Sequence, residues 1–213
     1  MDPYKITSET YNKIANLYQQ KFMDLDLYNE TYDTFCRRVE QKKAAILEIG
    51  CGPGNITRYL LSQRPDFNLT GIDVAPNMIA LAQDNNPSAS FKVMDCREIH
   101  LLEQQFQAII CGFCIPYLSK EDCQKLITDC AGLLNKNGIL YLSFVEDDYE
   151  KSGFESNSAG DKIYFHYHQQ DYLLQYLTEN QFKIENRLYI DYPKADGSTQ
   201  VHTIFIARKV EPA

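Results

Sequence analysis

The segment Leu47-Glu48-Ile49-Gly50-Cys51-Gly52-Pro53-Gly54-Asn55 constrains this chain more than any other: an apolar run breaks into glycines at alternate positions and then into a helix-like stretch. A strand that turns sharply into a helix needs backbone freedom at the turn, and glycine also lets a ligand approach the main chain closely. In open α/β sheets, nucleotides settle beyond the carboxyl ends of the strands, with the turn after the first strand as the usual contact. The spacing narrows the ligand further. A dinucleotide fingerprint needs G-x-G-x-x-G, whereas Asn55 stands where the third glycine would fall. No Lys-Ser or Lys-Thr follows, which excludes a phosphate-cradling G-x-x-x-x-G-K-[ST] loop. A nucleoside without phosphate remains.

Around this turn, apolar runs at 44–49, 68–73, 90–95, 106–111 and 139–144 alternate with helix-like stretches, the pattern of a parallel sheet with crossover helices. Helices are predicted over 55–63 and 76–85, and from an N-cap at Ser119 until Gly138, with Cys123, Leu126, Ile127, Cys130, Leu133 and Leu134 on one face. Residues 8–41 read as a kinked helical segment over the rim of the sheet. The acidic, then Ser/Gly/Asn-rich stretch 146–160 reads as a mobile loop, followed by a strand at 162–168 and a helix at 170–179. Runs at 183–192 and 200–209 flank Asp196-Gly197, a hairpin signal that makes the final pair antiparallel. The expected fold class is therefore α/β, a Rossmann-like seven-stranded, mostly parallel sheet with an antiparallel last strand, helices on both faces and an N-terminal helical cap. The 213 residues suit one domain over 1–213: a helical cap at 1–43, a nucleoside-binding core at 44–145, and a substrate-side loop, helix and hairpin at 146–213.

Composition excludes several partners. Lys plus Arg is 21 against 29 Asp plus Glu, a net charge of −8 with no basic run, so nucleic acid is not expected. Seven cysteines, an odd number scattered through apolar segments, read as reduced thiols, and Cys111-x-x-Cys114 has no second pair to complete a metal site. His166-x-His168 shares one face of a strand but has no third ligand nearby, so no metal is expected. Met1-Asp2-Pro3-Tyr4-Lys5 lacks a basic region leading into an apolar stretch, and no segment is apolar enough to span a bilayer; a cytoplasmic protein without membrane association is expected.

Glu48-x-Gly50-x-Gly52-x-Gly54, Gly71-Ile72-Asp73 and Met94-Asp95-Cys96 together resemble the class I S-adenosylmethionine-dependent methyltransferases over about residues 40–145, and the terminal hairpin is similar to that family's reversed last strand. The residue types suit such a donor, because a strand-end carboxylate such as Asp73 can accept from both ribose hydroxyls and would oppose a phosphorylated ribose. The resemblance implies that S-adenosyl-L-methionine lies on Glu48, Gly50, Cys51, Gly52, Gly54 and Asn55 of the turn, leaving as S-adenosyl-L-homocysteine. It further implies Val74 and Met78 against the adenine, Asp95 on its exocyclic amine, the Cys96 N–H on a ring nitrogen, and the carbonyls of Gly50 and Cys111 on the methionine ammonium. Tyr11 and Tyr18 would form a lid near the sulfonium.

Methyl transfer from a sulfonium is an in-line displacement, for which the protein must align the reacting atoms and exclude water. An alcohol, phenol or thiol acceptor also has a proton to lose, and His166, His168 and Tyr117 are the candidate bases. The small cap leaves little room for a target-recognition domain, so the expected partner is a small-molecule methyl acceptor, methylated on O, N or S, with the protein a monomer or homodimer. After the fourth strand the chain reads Cys111-Gly112-Phe113-Cys114-Ile115-Pro116-Tyr117 and lacks the Asn-Pro-Pro-Tyr-type motif of family members that methylate amino groups of nucleobases or glutamine. A nicotinamide-dependent oxidoreductase and a non-catalytic S-adenosylmethionine-binding protein are the rival readings.

Overall fold

A computed structural model describes residues 2–156, 159–194 and 197–211. Strands β1 (Ala45–Ile49), β2 (Asn68–Asp73), β3 (Ser90–Val93), β4 (Phe106–Cys111) and β5 (Leu134–Val145) run parallel in the order β3-β2-β1-β4-β5. The hairpin of β8 (Phe182–Pro193) and β9 (Thr199–Lys209) completes the seven strands, with β9 between β5 and β8 and antiparallel to both. A separate antiparallel pair, β6 (Gly153–Ser156) and β7 (Lys162–Phe165), stands beside it.

Period-two alternation along the strands sends successive side chains to opposite faces. On one face Leu47, Ile49, Ile109, Leu140 and Leu142 pack with Leu126, Ile127 and Cys130 of α5 (Lys120–Leu133) and Leu173 and Leu177 of α6 (Gln170–Glu179). On the other, Ile46, Ala108, Ile110 and Tyr141 meet Tyr32 and Phe35 of α2 (Asn29–Arg38) and Ile56 and Leu60 of α3 (Asn55–Gln63). Each fully buried aliphatic side chain contributes about 1.5–3 kcal/mol, so this two-sided burial holds the strand ends in place. Ile49 pairs with Ile72 on one side and Cys111 on the other, which brings Gly50, Asp73 and Gly112 to one edge.

The structure departs from the sequence expectation in three places. The cap is two helices, and α1 (Pro3–Phe22) begins earlier than residue 8, because Asp2 accepts the Tyr4 N–H at 3.0 Å and Pro3 fits the first turn. Helix α5 ends at Leu133 rather than reaching Gly138: Leu134 already pairs with Phe106, and Asn137 adopts a left-handed φ of 61°. The stretch 146–160 contains β6, whose backbone pairs with β7 although its side chains are mostly polar. Asp196 of the hairpin turn lies outside the described residues, while Gly197 has the left-handed φ of 83° that glycine tolerates.

Candidate active site

Gly50 and Gly52 have φ of 69° and 52°, and both line a cavity of about 340 Å³ at the carboxyl edge of the sheet. A side chain at Gly50 would place its Cβ 3.0 Å from the Cβ of Cys114, so only glycine keeps this wall open. Gly54, with φ of 81°, faces away from the cavity and starts α3; its carbonyl accepts the Asn86 side-chain N–H at 3.0 Å.

Across the cavity stands Asp73, at the end of β2. Its Oδ2 accepts the Gly52 N–H at 2.9 Å and its Oδ1 accepts the Ala75 N–H at 2.9 Å. Burial pushes this carboxyl above its ordinary range, while the backbone donors hold it back. Each carboxylate oxygen carries a second lone pair, so the clamped group can still accept from two neighbouring hydroxyls. Val74, at 46 % exposure an unusually bare aliphatic residue, and Met78 of α4 (Pro76–Asn85) form the adjoining apolar wall.

Asp95 and Cys96 line the same cavity. Asp95 caps the short turn 96–101 by accepting the Arg97 N–H at 2.9 Å and also forms a forked pair with the Arg97 guanidinium, with a closest approach of 2.6 Å. Burial opposes ionisation of Asp95, yet Arg97 holds its pKa below the ordinary value. Arg97 in turn stacks 4.0 Å from the Tyr4 ring, tying α1 to this corner. The Sγ atoms of Cys96 and Cys114 approach to 3.8 Å, and their contact together with burial pushes the Cys96 thiol well up, so it stays protonated. Among the described residues no cluster of three or more His, Cys, Asp or Glu could hold a metal.

Tyr11, Tyr18 and Tyr117 wall off a second cavity, of about 380 Å³, that also touches Gly50 and Gly52. Tyr11 and Tyr117 are hydroxyl to hydroxyl, and Tyr18 stands edge-on to Tyr11 with ring centroids 5.8 Å apart. Burial lifts the Tyr11 phenol to about 12 and the Tyr117 phenol well above its ordinary value, so both stay protonated.

The structure thus gathers Tyr11, Tyr18, Gly50, Gly52, Asp73, Val74, Met78, Asp95 and Cys96 around the first cavity, with Asn55 on the second. Three residues expected on the ligand lie behind the wall instead, and Cys111, expected there through its carbonyl, turns its side chain inward. Glu48 is fully buried and accepts from the Thr57 hydroxyl; desolvation raises its pKa to about 8. Cys51 donates its N–H to Ile72 at 2.9 Å, Gly54 caps α3, and the Cys111 side chain is buried beneath the sheet's end. The candidate bases His166 and His168 line neither cavity. His168 uses both ring nitrogens, on the Tyr172 hydroxyl at 2.8 Å and the Ile115 carbonyl at 2.9 Å, while the His166 ring packs between Tyr149 and Tyr164. Missed by the sequence reading were Tyr28, Phe113, Tyr192 and His202, all on the second cavity. The one available signal was register: the hairpin puts His202 opposite Val145, at the carboxyl end of β5.

Residues 46–138 match the family of the methyltransferase domain. Over those 93 of its 213 residues the chain resembles a methyltransferase domain. Its Rossmann-like fold is also that of solved methyltransferases: one from Clostridium acetobutylicum (TM-score 0.72, 16 % identity, 94 % of this chain and 99 % of that one) and the 1,6-didemethyltoxoflavin-N1-methyltransferase of Burkholderia thailandensis (TM-score 0.72, 18 % identity, 99 % and 92 %). In sequence the chain is 32 % identical over 100 residues to the malonyl-[acyl-carrier protein] O-methyltransferase of Acetivibrio thermocellus, covering 46 % of this chain and 34 % of that protein. It is 35 % identical over 95 residues to a trans-aconitate 2-methyltransferase of Escherichia coli, covering 45 % and 36 %. The chain spans about a third of the length of these two relatives. No described helix is long and apolar enough to cross a membrane.

Proposed function

We propose that this chain is an S-adenosylmethionine-dependent methyltransferase that methylates an O, N or S atom of a small-molecule acceptor. The observation that carries the reading is Asp73, held by two backbone N–H groups at the end of β2 and facing a glycine wall. A nucleoside diol fits that carboxylate, and the apolar wall of Val74 and Met78 fits a purine. Asp95 would accept from the exocyclic amine and the Cys96 N–H would reach a ring nitrogen. The carbonyls of Gly50 and Cys111 would receive the ammonium. Glu48, Cys51, Gly54 and Asn55 shape the turn from behind or beside it.

The bound sulfonium supplies an electrophilic methyl carbon. What this chain adds is alignment and dryness: Tyr11, Tyr18 and Tyr117 close the boundary between the two cavities with rings and protonated hydroxyls. The second cavity gives an acceptor its own space, which a module that merely stores the donor has no use for.

Calorimetry tests this directly. S-adenosylhomocysteine should bind and NAD should not, and Asp73→Ala should weaken binding by roughly a hundredfold, about 3 kcal/mol for two charge-assisted hydrogen bonds. Absence of binding at millimolar S-adenosylhomocysteine would end the reading.

A further inference from the structure

The second cavity is aromatic on nearly every side, and none of its lining residues is an Asp or Glu. Lys21 is its one Lys or Arg among the described residues. A cationic amine would find no counter-ion there, and a polycarboxylate would find a single cation at most. A flat, uncharged ring would find Tyr28, Phe113 and Tyr192 to pack on.

One group on this wall is built differently. His202, on β9, is 7 % exposed and lies nearly parallel to two rings: Tyr192, at 9° and 4.9 Å between centroids, stacks on it, and Tyr28, at 3° and 6.0 Å, lies beside its edge. Phe113 leans on it at 5.2 Å. Its Nδ1 is held by the Tyr28 hydroxyl at 2.7 Å. With Tyr192 stacked on the ring and Nδ1 engaged, Nε2 is the nitrogen left to the cavity that the imidazole lines. Among the four histidines it alone lines either cavity.

We infer that the second cavity seats a planar aromatic acceptor bearing a hydroxyl, and that His202 Nε2 takes the hydroxyl proton as the methyl group arrives. This rests on the first cavity being the donor site. The oxygen–carbon bond forms as the carbon–sulfur bond breaks, the sulfur keeps that electron pair, and the hydroxyl proton passes to Nε2 and then to solvent. The role uses the tautomer in which Nδ1–H donates to the Tyr28 oxygen. Burial and nearby Lys194 hold the His202 pKa down to about 4, so the ring is neutral and its lone pair is free at neutral pH. Such a weak base suffices, because a hydroxyl receiving a methyl cation becomes far more acidic than an imidazolium as the transfer proceeds.

The test uses the full chain with 2-naphthol, 2-naphthylamine, 2-naphthoate and a nitro-substituted naphthol already ionised in the buffer. With S-adenosylhomocysteine present, 2-naphthol should shift the imidazole resonance that His202→Gln removes. With labelled S-adenosylmethionine, 2-naphthol should be methylated in preference to the amine and the carboxylate. His202→Gln should bind S-adenosylhomocysteine within about twofold of the parent, yet turn over 2-naphthol roughly a hundredfold more slowly while losing little on the pre-ionised naphthol. Equal losses on both naphthols, an unmoved resonance, preference for the amine or carboxylate, or no binding of any aryl probe would each overturn the inference. Failure of the parent to bind S-adenosylhomocysteine would instead strike the donor reading beneath it.

Discussion

The two cavities share a tyrosine boundary but are built by opposite means. The first is built around positive-φ glycines and two strand-end carboxylates from the stretch 50–97, with α1 and residues 112–118 completing its wall. The second is made of side chains, drawn from α1, the segment after it, the end of β4 and the β8–β9 hairpin, residues as far apart as Tyr11 and His202. A site whose polar groups are fixed by main-chain geometry can hold one ligand tightly across many sequences. A site of packed rings can change its guest by changing rings.

If that contrast is right, damage to the first cavity should abolish donor binding, and damage to the second should spare it. The largest effect expected is on folding, behind the glycine wall. Glu48, with a pKa near 8 against an ordinary 4.5, contributes stability that is present below about 4.5 and lost as pH climbs toward 8. Glu48→Gln should flatten that decline, on the order of 5 kcal/mol across the window in urea titrations. An unchanged pH slope would mean that this carboxyl is ionised in the fold. His168 and His202 act in the opposite sense: with pKa values of about 4 against 6.5, their contribution is present above 6.5 and fades as the solution is acidified toward 4.

Asp73→Ala comes next, at about 3 kcal/mol of donor affinity; if acceptor-side variants cost as much, the division between cavities collapses. Gly54→Ala should destabilise the fold by about 2 kcal/mol, because its Cβ would sit 2.3 Å from the buried Asn86 Nδ2 at a φ of 81°. Retained stability would show that Asn86 can move aside. The smallest effect is Tyr28→Phe, which removes the hydroxyl on His202 and should cost about 1 kcal/mol in acceptor turnover, with donor affinity intact by calorimetry.

The same contrast explains what could be read from the chain. Gly50, Gly52, Asp73 and Asp95 were legible because a strand-turn-helix unit writes its chemistry in a few consecutive letters. The seven-stranded, mostly parallel sheet with its reversed last strand followed from alternating runs and the hairpin signal. The pairing of β6 with β7 was hidden because β6 lies in a polar stretch that reads as a loop, since a backbone ladder does not require apolar letters. His202 was unreadable as a site residue because its company arrives from three distant segments: Tyr28 from the cap, Phe113 from the end of β4 and Tyr192 from the neighbouring strand. His166 and His168 drew attention by spacing alone, and the fold spends them on packing and on the Ile115 carbonyl. Glu48 was placed on the ligand by resemblance, whereas its strand period turns it inward to Thr57.

Helix α1 contributes to both cavities and is fastened on both sides, by Asn12 to Asn77 at 2.8 Å and by Thr10 to the Lys162 carbonyl at 2.6 Å. A single rod pinned over two chambers makes their occupancies interdependent: a guest that settles the rod from beneath one end leaves less ordering to be done at the other. Linkage then requires the benefit to run both ways, so 2-naphthol and S-adenosylhomocysteine should each tighten the other by the same factor.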